Sequence, residues 1–202
     1  MGEGGVGRVL VASLHQSIAD LLPSRLGFYE NWLSARGLRE GSIGLAPLLA
    51  VLSFLRQEGE AYQLITRRAG EYAAEWTVQA MPGMRRRIVQ AMPVWARRRL
   101  VLRLARRVVH DTYRGSRAVS RVGKATASLD LRPSIFCTVR EPVGRPLCGY
   151  YAAAVARLFA LFQIDGRADV VSCRGAGEST CRLQVVLPRR AAVPGAPPAV
   201  NP

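Results

Sequence analysis

The sequence predicts an α+β protein in which N-terminal helices pack on a C-terminal antiparallel sheet with one inserted helix. Three observations support this class. Apolar residues recur at helical spacing through the first half of the chain, β-branched residues gather after Gly115, and a largely apolar segment, Cys148–Phe162, interrupts the strands. A run of helices followed by a run of strands is typical of α+β folds.

Five segments of the first half are predicted to be helical. The first repeats apolar residues every three or four positions and ends near Pro23, the third is apolar nearly all round, and the fourth ends where Pro82-Gly83 breaks the pattern. The fifth is rich in arginine. These segments are residues 8–22, Phe28–Arg36, Leu45–Arg56, Glu60–Ala80 and 94–111.

The second half is predicted to contain four strands, with the inserted helix between the second and third. They are Val119–Leu129, Ile135–Arg140, Ala168–Cys173 and Cys181–Leu187. The Pro/Ala-rich residues 188–202 contain too little apolar surface to order themselves on a core. We therefore expect one domain over residues 1–187, followed by a disordered tail.

Composition is that of a globular protein, with 49% hydrophobic and 21% charged residues in 202. His15, Gln16 and Asp20 interrupt the first twenty residues, which is not the pattern of a secretory segment, and the longest apolar stretches are shorter than a membrane span. These features predict a soluble, cytoplasmic protein.

The formal charge of +15 comes almost entirely from arginine, since Lys124 is the single lysine among 29 basic residues. Such a bias is typical of GC-rich coding sequence as much as of a polyanion partner. Nine arginines nevertheless lie between Arg85 and Arg107. On the fifth helix, one face gathers the candidate anion-binding residues Arg99, Arg103, Arg106 and Arg107. This face is either a solvated surface or a site for nucleic acid or an anionic membrane.

Three cysteines in the C-terminal region are the candidate metal ligands. Cys173 and Cys181 are separated by seven residues that include a glycine-rich turn, so a hairpin places their thiols at neighbouring positions. Cys148 begins the inserted helix, which is expected to pack on that hairpin. Two alternatives stay open: buried cysteines acting as small core residues, and a Cys173–Cys181 disulfide, which a reducing compartment disfavours.

The stretch 134–187 resembles the closing segment of the 4-vinyl-reductase-like domain family. The similarity rests on the order of Cys148, Cys173, the glycines Gly175 and Gly177, and Cys181. That family includes a bacteriochlorophyll-pathway protein, the sensor modules of aromatic-responsive transcription activators and, distantly, vesicle-transport particle subunits. The resemblance implies an often dimeric α+β module that encloses a small hydrophobic molecule. It also implies zinc bound by the three cysteines, as in the aromatic sensors.

The chain departs from those sensors at one position. They have an acidic ligand three residues before the first hairpin cysteine, where this chain has Val170. A tetrahedral site needs a fourth donor. The candidates are Asp169, Cys137, His110 and a water molecule.

The favoured functional hypothesis is a non-enzymatic module that binds a small hydrophobic or aromatic ligand and contains a structural zinc site. We expect a homodimer, with a partner protein for any signal output. Candidate pocket residues are aromatic, although plain core packing is the favoured explanation for any single one of them: Trp32, Phe54, Tyr72, Trp76 and Trp95.

Two alternatives remain. The first is an accessory or reductase-like protein of tetrapyrrole (bacteriochlorophyll) biosynthesis, although no G-x-G-x-x-G motif follows a predicted strand. The second is binding of a polyanion or membrane surface through the arginine-rich helix.

Overall fold

The computed structural model describes residues 5–33, 37, 43–123, 125–139 and 142–187. Within these residues the chain forms seven α-helices and four strands, which confirms the α+β class. The helices are α1 (Arg8–Leu21), α2 (Leu26–Glu30), α3 (Leu45–Gln57), α4 (Glu60–Gln79), α5 (Gly83–Ala91), α6 (Val94–Thr112) and α7 (Gly149–Leu161). The strands are β1 (Arg117–Val122), β2 (Thr126–Arg132), β3 (Arg167–Ser172) and β4 (Cys181–Val186).

The sheet is antiparallel throughout, with the strand order β1-β2-β4-β3. Strand β4 lies between β2 and β3, and its side chains alternate regularly between core and solvent. Cys181, Leu183 and Val185 point into the core. This alternation places Cys181 on the face of the sheet that contacts the helices.

Helix α7 is the inserted helix, and it joins the sheet to the helical layer. Among the described elements it packs most extensively on α4, and it also contacts α6 and β3. The α4–α7 approach is close at Gly70, where an added Cβ would lie 2.1 Å from the Tyr150 carbonyl oxygen. Glycine at this position therefore sets the distance between the two helices.

Several predicted elements are confirmed within one or two residues, namely the helices at 8–22, Leu45–Arg56, Glu60–Ala80 and 94–111, the inserted helix, and the last two strands. The second helix is shorter than predicted, because α2 ends at Glu30; residues 34–36 lie outside the described residues. Residues 188–202, the predicted tail, also lie outside them.

Two strand predictions were wrong. The segment Val119–Leu129 is a hairpin of two strands, because the chain turns after Gly123, whose N–H donates to the Thr126 carbonyl oxygen at 2.7 Å. Ile135–Cys137 forms a 3₁₀ turn in place of a strand, directly after Pro133 ends β2. The remainder of that predicted strand reaches residue 140, which is not described.

Helix α5 was not predicted, because Pro82-Gly83 was interpreted as a break. Pro82 is instead the residue that precedes α5, and Pro93 precedes α6 in the same way. Proline is compatible with a helix start because the N–H it lacks would have no partner within the helix. None of the described helices combines the length and the apolar composition needed to cross a bilayer.

Candidate metal centre

Four cysteine side chains meet where the β3–β4 hairpin packs against the start of α7. Cys137 ends the 3₁₀ turn after β2, Cys148 directly precedes α7, Cys173 directly follows β3, and Cys181 begins β4. All four are buried, the most accessible being Cys137 at 8%. Four separate segments of backbone thus contribute one sulfur atom each.

The sulfur atoms form a compact cluster. Cys137 Sγ lies 3.3 Å from Cys148 Sγ, 3.3 Å from Cys173 Sγ and 3.5 Å from Cys181 Sγ. Cys148 Sγ and Cys173 Sγ are 3.7 Å apart, and all four atoms lie within 4.8 Å of one another. Zinc with four thiolate ligands at about 2.3 Å has sulfur–sulfur edges of about 3.8 Å. The donor set therefore fits one tetrahedral ion.

The same distances argue against the alternatives. All four cysteines are free, and the shortest sulfur–sulfur separation of 3.3 Å is far longer than the disulfide bond of about 2.05 Å. A four-iron cluster bonds each cysteine to a different iron and so separates the sulfurs more widely. Cysteines that served only as small core residues would not require contact between all four sulfurs.

Polar groups around the cluster are oriented toward the sulfurs. The backbone N–H of Leu147 donates to Cys173 Sγ at 3.2 Å, and that of Arg174 donates to Cys181 Sγ at 3.4 Å. The buried hydroxyl of Ser134 lies 3.3 Å from Cys148 Sγ. The two backbone N–H groups stabilise thiolate charge and orient metal ligands, and the Ser134 hydroxyl, which accepts from the Cys148 thiol, can donate once that thiol is ionised.

The helical layer fixes one of these donors in place. Tyr62 on α4 donates its buried hydroxyl to the Leu147 carbonyl oxygen at 3.0 Å. The Leu147 side chain packs directly on Gly175, where an added Cβ would lie 2.6 Å from Leu147 Cδ1. The segment before α7 and the turn between β3 and β4 therefore pack tightly against each other beside the sulfurs.

Contact between the sulfur atoms shifts the pKa values of the four thiols in different directions, so they do not ionise together. Hydrogen bonds from Cys137 and Cys148 lower the pKa of Cys173, and hydrogen bonds from the same two residues lower the pKa of Cys181. Contact with Cys137 and Cys173 raises the pKa of Cys148 well above its ordinary value. A central cation removes this conflict, because it stabilises all four thiolates together.

One cation of the protein already lies near the cluster. Arg56, at the end of α3, donates from Nη1 to the Phe136 carbonyl oxygen at 3.5 Å, next to Cys137. Burial lowers the pKa of Arg56, and attraction to Tyr62 and Cys137 opposes that shift. Because zinc with four thiolates carries a net negative charge, Arg56 would neutralise part of it.

The structure brings together Cys148, Cys173 and Cys181 with only one of the candidates for a fourth ligand. That candidate is Cys137. Asp169 pairs with Arg167 at 2.9 Å on β3, and His110 lies 3.4 Å from Asp111 on the surface of α6. Sequence reasoning missed Arg56, Ser134 and the Leu147 amide, since no spacing rule connects them to the cysteines.

The five aromatic residues predicted to line a pocket fall into three groups. Trp32 contacts Phe54 with ring centroids 6.0 Å apart, and Tyr72 stacks on Trp76 at 5.5 Å. Trp95 is 64% exposed and lies under the Arg99 guanidinium. Their role as ligand-binding residues stays a prediction.

A different aromatic cluster lies in the core. Phe136 stacks on Tyr150 at 5.0 Å, and Tyr151 meets both rings edge-on. The Tyr150 hydroxyl is fully buried and has no partner at good hydrogen-bond geometry among the described residues. Burial raises the pKa of this phenol, and the neighbouring Ser13 hydroxyl opposes that rise. The Ser13 proton is itself donated to the Leu10 carbonyl oxygen.

The predicted anion-binding arginines are exposed on α6, but two of them have hydrogen-bond or ion-pair partners within the chain. Arg106 donates to the Ala118 carbonyl oxygen at 3.1 Å, and Arg107 pairs with Asp111 at 3.4 Å. The exposed arginine face predicted for this helix is thus present, with part of its charge used internally.

No family model matches the chain, and no curated protein matches it. Solved structures match in fold. The crystal structure of the phenol-responsive sensory domain of the transcription activator PoxR, with phenol, aligns with a TM-score of 0.50 at 15% identity, over 71% of this chain and 74% of that chain. A Tt H-NOX variant aligns with a TM-score of 0.44 at 13% identity, covering 91% of this chain and 96% of that chain. A structure described for H-NOX activation gives 0.45 at 13% identity, covering 91% and 97%.

The likeness to the PoxR domain is one of fold. At 15% identity it shows a shared fold and nothing of function. The narrower resemblance to the 4-vinyl-reductase-like family stays a prediction, since no family model supports it.

Proposed function

We propose that the chain is a non-enzymatic small-molecule-binding module of the sensory type, with one zinc ion bound by Cys137, Cys148, Cys173 and Cys181. The observation that carries the metal assignment is the convergence of four buried sulfurs within 4.8 Å. Tetrahedral sulfur coordination is typical of zinc, and a single iron is the principal competitor.

The zinc ion would be structural. Four protein ligands complete a tetrahedron and leave no position for water or substrate, which distinguishes structural from catalytic zinc sites. The ion would join the 3₁₀ turn after β2, the start of α7 and the β3–β4 hairpin. Its binding free energy then contributes directly to folding of the C-terminal half.

Metal analysis of protein purified without chelator tests this assignment. We expect one zinc per chain, and we expect Cys137→Ser to lose most of it. Asp169→Asn is the matched control, because Asp169 is the competing candidate ligand and pairs with Arg167 in the structure. Zinc retained by Cys137→Ser but lost by Asp169→Asn would contradict the four-cysteine site.

The proposal for the small molecule rests on the fold and on the Tyr150 hydroxyl. A buried hydroxyl without a partner costs about 1–3 kcal/mol, so a ligand that hydrogen-bonds to it gains affinity. The surrounding rings of Phe136 and Tyr151 favour an aromatic molecule. Because the PoxR domain was crystallised with phenol, phenol and substituted phenols are the first probes.

Native mass spectrometry and thermal shift with a panel of phenols test the ligand proposal. Tyr150→Phe should fold at least as stably as the parent and should bind the responding phenol more weakly. Equal binding by both proteins would show that the Tyr150 hydroxyl does not contact the ligand. No response to any phenol would contradict the proposed ligand class. The same spectra test the expected homodimer. The tetrapyrrole alternative stays a prediction.

A further inference from the structure

The corner between α5 and α6 exposes large apolar and cationic side chains together. Five apolar residues within twelve positions reach the surface, from 36% exposure at Met92 to 77% at Met84. They are Met84, Ile88, Met92, Val94 and Trp95. Single exposed apolar residues are ordinary on protein surfaces, whereas a concentrated group indicates an interaction site.

Helix α5 presents its apolar side chains away from the core. Val89 is its one buried residue. At about 100° per residue, Met84 and Ile88 lie about 140° and 100° around the helix from Val89. Arg85 and Arg87 lie on either side of this outward apolar arc, and both are exposed. An apolar strip bordered by arginines is typical of helices that lie in a membrane interface.

The first turn of α6, which follows α5 after Met92 and Pro93, also exposes an apolar side chain beside an arginine. Trp95 is 64% exposed, and the Arg99 guanidinium lies 5.6 Å from the centroid of its ring. Tryptophan prefers the boundary between lipid headgroups and acyl chains, and arginine can extend from that depth to the phosphates.

We propose that the α5–α6 corner docks on the surface of an anionic lipid bilayer. Met84, Ile88 and Trp95 enter the interface, while the arginines contact lipid phosphates. The two contributions reinforce each other, because apolar burial and attraction to anionic lipid add in interfacial binding.

The charges and the apolar residues together favour lipid over two other occupants. A second copy of the chain on this face would place arginine against arginine, which is unfavourable. A nucleic acid would use the arginines but would gain nothing from the exposed Met84 and Ile88, since its binding depends on phosphate contacts and base stacking.

Co-sedimentation of the full chain with vesicles tests the proposal. We expect binding to phosphatidylcholine vesicles that contain phosphatidylglycerol, little binding to pure phosphatidylcholine, and weakening with added salt. Removing two arginines in Arg85→Gln/Arg87→Gln should lower the affinity about 25-fold, at about fivefold for each charge. Met84→Ser/Ile88→Ser should lower it at least about tenfold.

The matched control is Arg121→Gln/Val122→Ser on β1, where both residues are also exposed. This variant should bind anionic vesicles like the parent. Equal weakening by the control would indicate nonspecific charge attraction and overturn the proposal, as would the absence of vesicle binding.

Two further results would also overturn it. One is nucleic-acid binding that is stronger than vesicle binding and unaffected by Met84→Ser/Ile88→Ser. The other is a dimer that this variant converts to a monomer. A chain in which Trp95 is the one tryptophan, made with Trp32→Phe and Trp76→Phe, provides a second readout: its emission should shift to shorter wavelength with anionic vesicles.

Discussion

The sulfur cluster and the α5–α6 corner differ in whether the fold buries their polar side chains or exposes them to solvent. At the cluster, four segments of backbone enclose buried sulfurs that lie within 4.8 Å of one another. At the corner, Val89 is the one buried residue of α5, and the neighbouring arginines face solvent. The zinc ion proposed for the first region would be enclosed by the fold, whereas the lipid surface proposed for the second would come from outside.

The largest effect is expected from Cys173→Ser. It removes a sulfur that contacts both Cys137 and Cys148 and accepts a hydrogen bond from Leu147. Loss of a structural metal site should reduce the free energy of unfolding by at least about 3 kcal/mol. Urea unfolding measures this, with Met84→Ser/Ile88→Ser as the control from the exposed corner. A parent-like midpoint for Cys173→Ser would contradict a structural site.

The next effect concerns the packing that positions α7. Gly70→Ala forces a Cβ against the Tyr150 carbonyl oxygen and should cost about 1–3 kcal/mol. Gly83→Ala is the control in α5, where an added Cβ meets nothing within 4 Å, and helix propensity favours the change. In thermal unfolding, Gly70→Ala should lower the melting temperature and Gly83→Ala should raise it. Equal effects of the two substitutions would mean that α7 is not rigidly packed on α4.

A smaller effect is expected from Ser134→Ala, which removes the hydroxyl beside Cys148. Loss of such a group should weaken metal binding about tenfold, as measured by competition with a chelator. Ser17→Ala is the control, because Ser17 is equally buried but donates to the Ser13 carbonyl oxygen within α1. A change in metal affinity in the control would assign the effect to general destabilisation.

The smallest effect is a pH dependence in the helical half, away from both regions. Burial and the nearby Glu58 raise the pKa of Tyr29 to about 12. The unfolded chain releases this phenolic proton near pH 10, whereas the folded chain retains it up to about pH 12. The free energy of unfolding therefore falls as the pH rises from about 10 to 12. Urea midpoints should decline over that interval, and Tyr29→Phe should make the decline shallower. An unchanged slope would remove Tyr29 from the effect.

Residue patterns predicted most of the helices and the three-cysteine site, because helical periodicity and the Cys173–Cys181 hairpin are local features. Cys137 remained one candidate among several, and it was predicted to lie in a strand, Ile135–Arg140. The 3₁₀ turn that orients Cys137 toward the other sulfurs depends on packing with distant segments. The same limit applies to Arg56, which reaches the site through a contact with the Phe136 backbone 80 positions along the chain.

Helix α5 was not predicted from the sequence for a different reason. Its sequence, GMRRRIVQA, buries one side chain, so the amphipathic pattern that marks a core-facing helix is absent. The pattern that is present, with exposed Met84 and Ile88 between arginines, becomes informative only when the helix and its orientation are known.

X-ray absorption spectroscopy at the zinc edge tests the four-cysteine zinc site, because it counts the atoms bonded to the metal. We expect four sulfur atoms at about 2.3 Å and no lighter ligand. Three sulfurs with an oxygen or nitrogen neighbour would contradict the role of Cys137, and a metal without sulfur neighbours would contradict the site altogether.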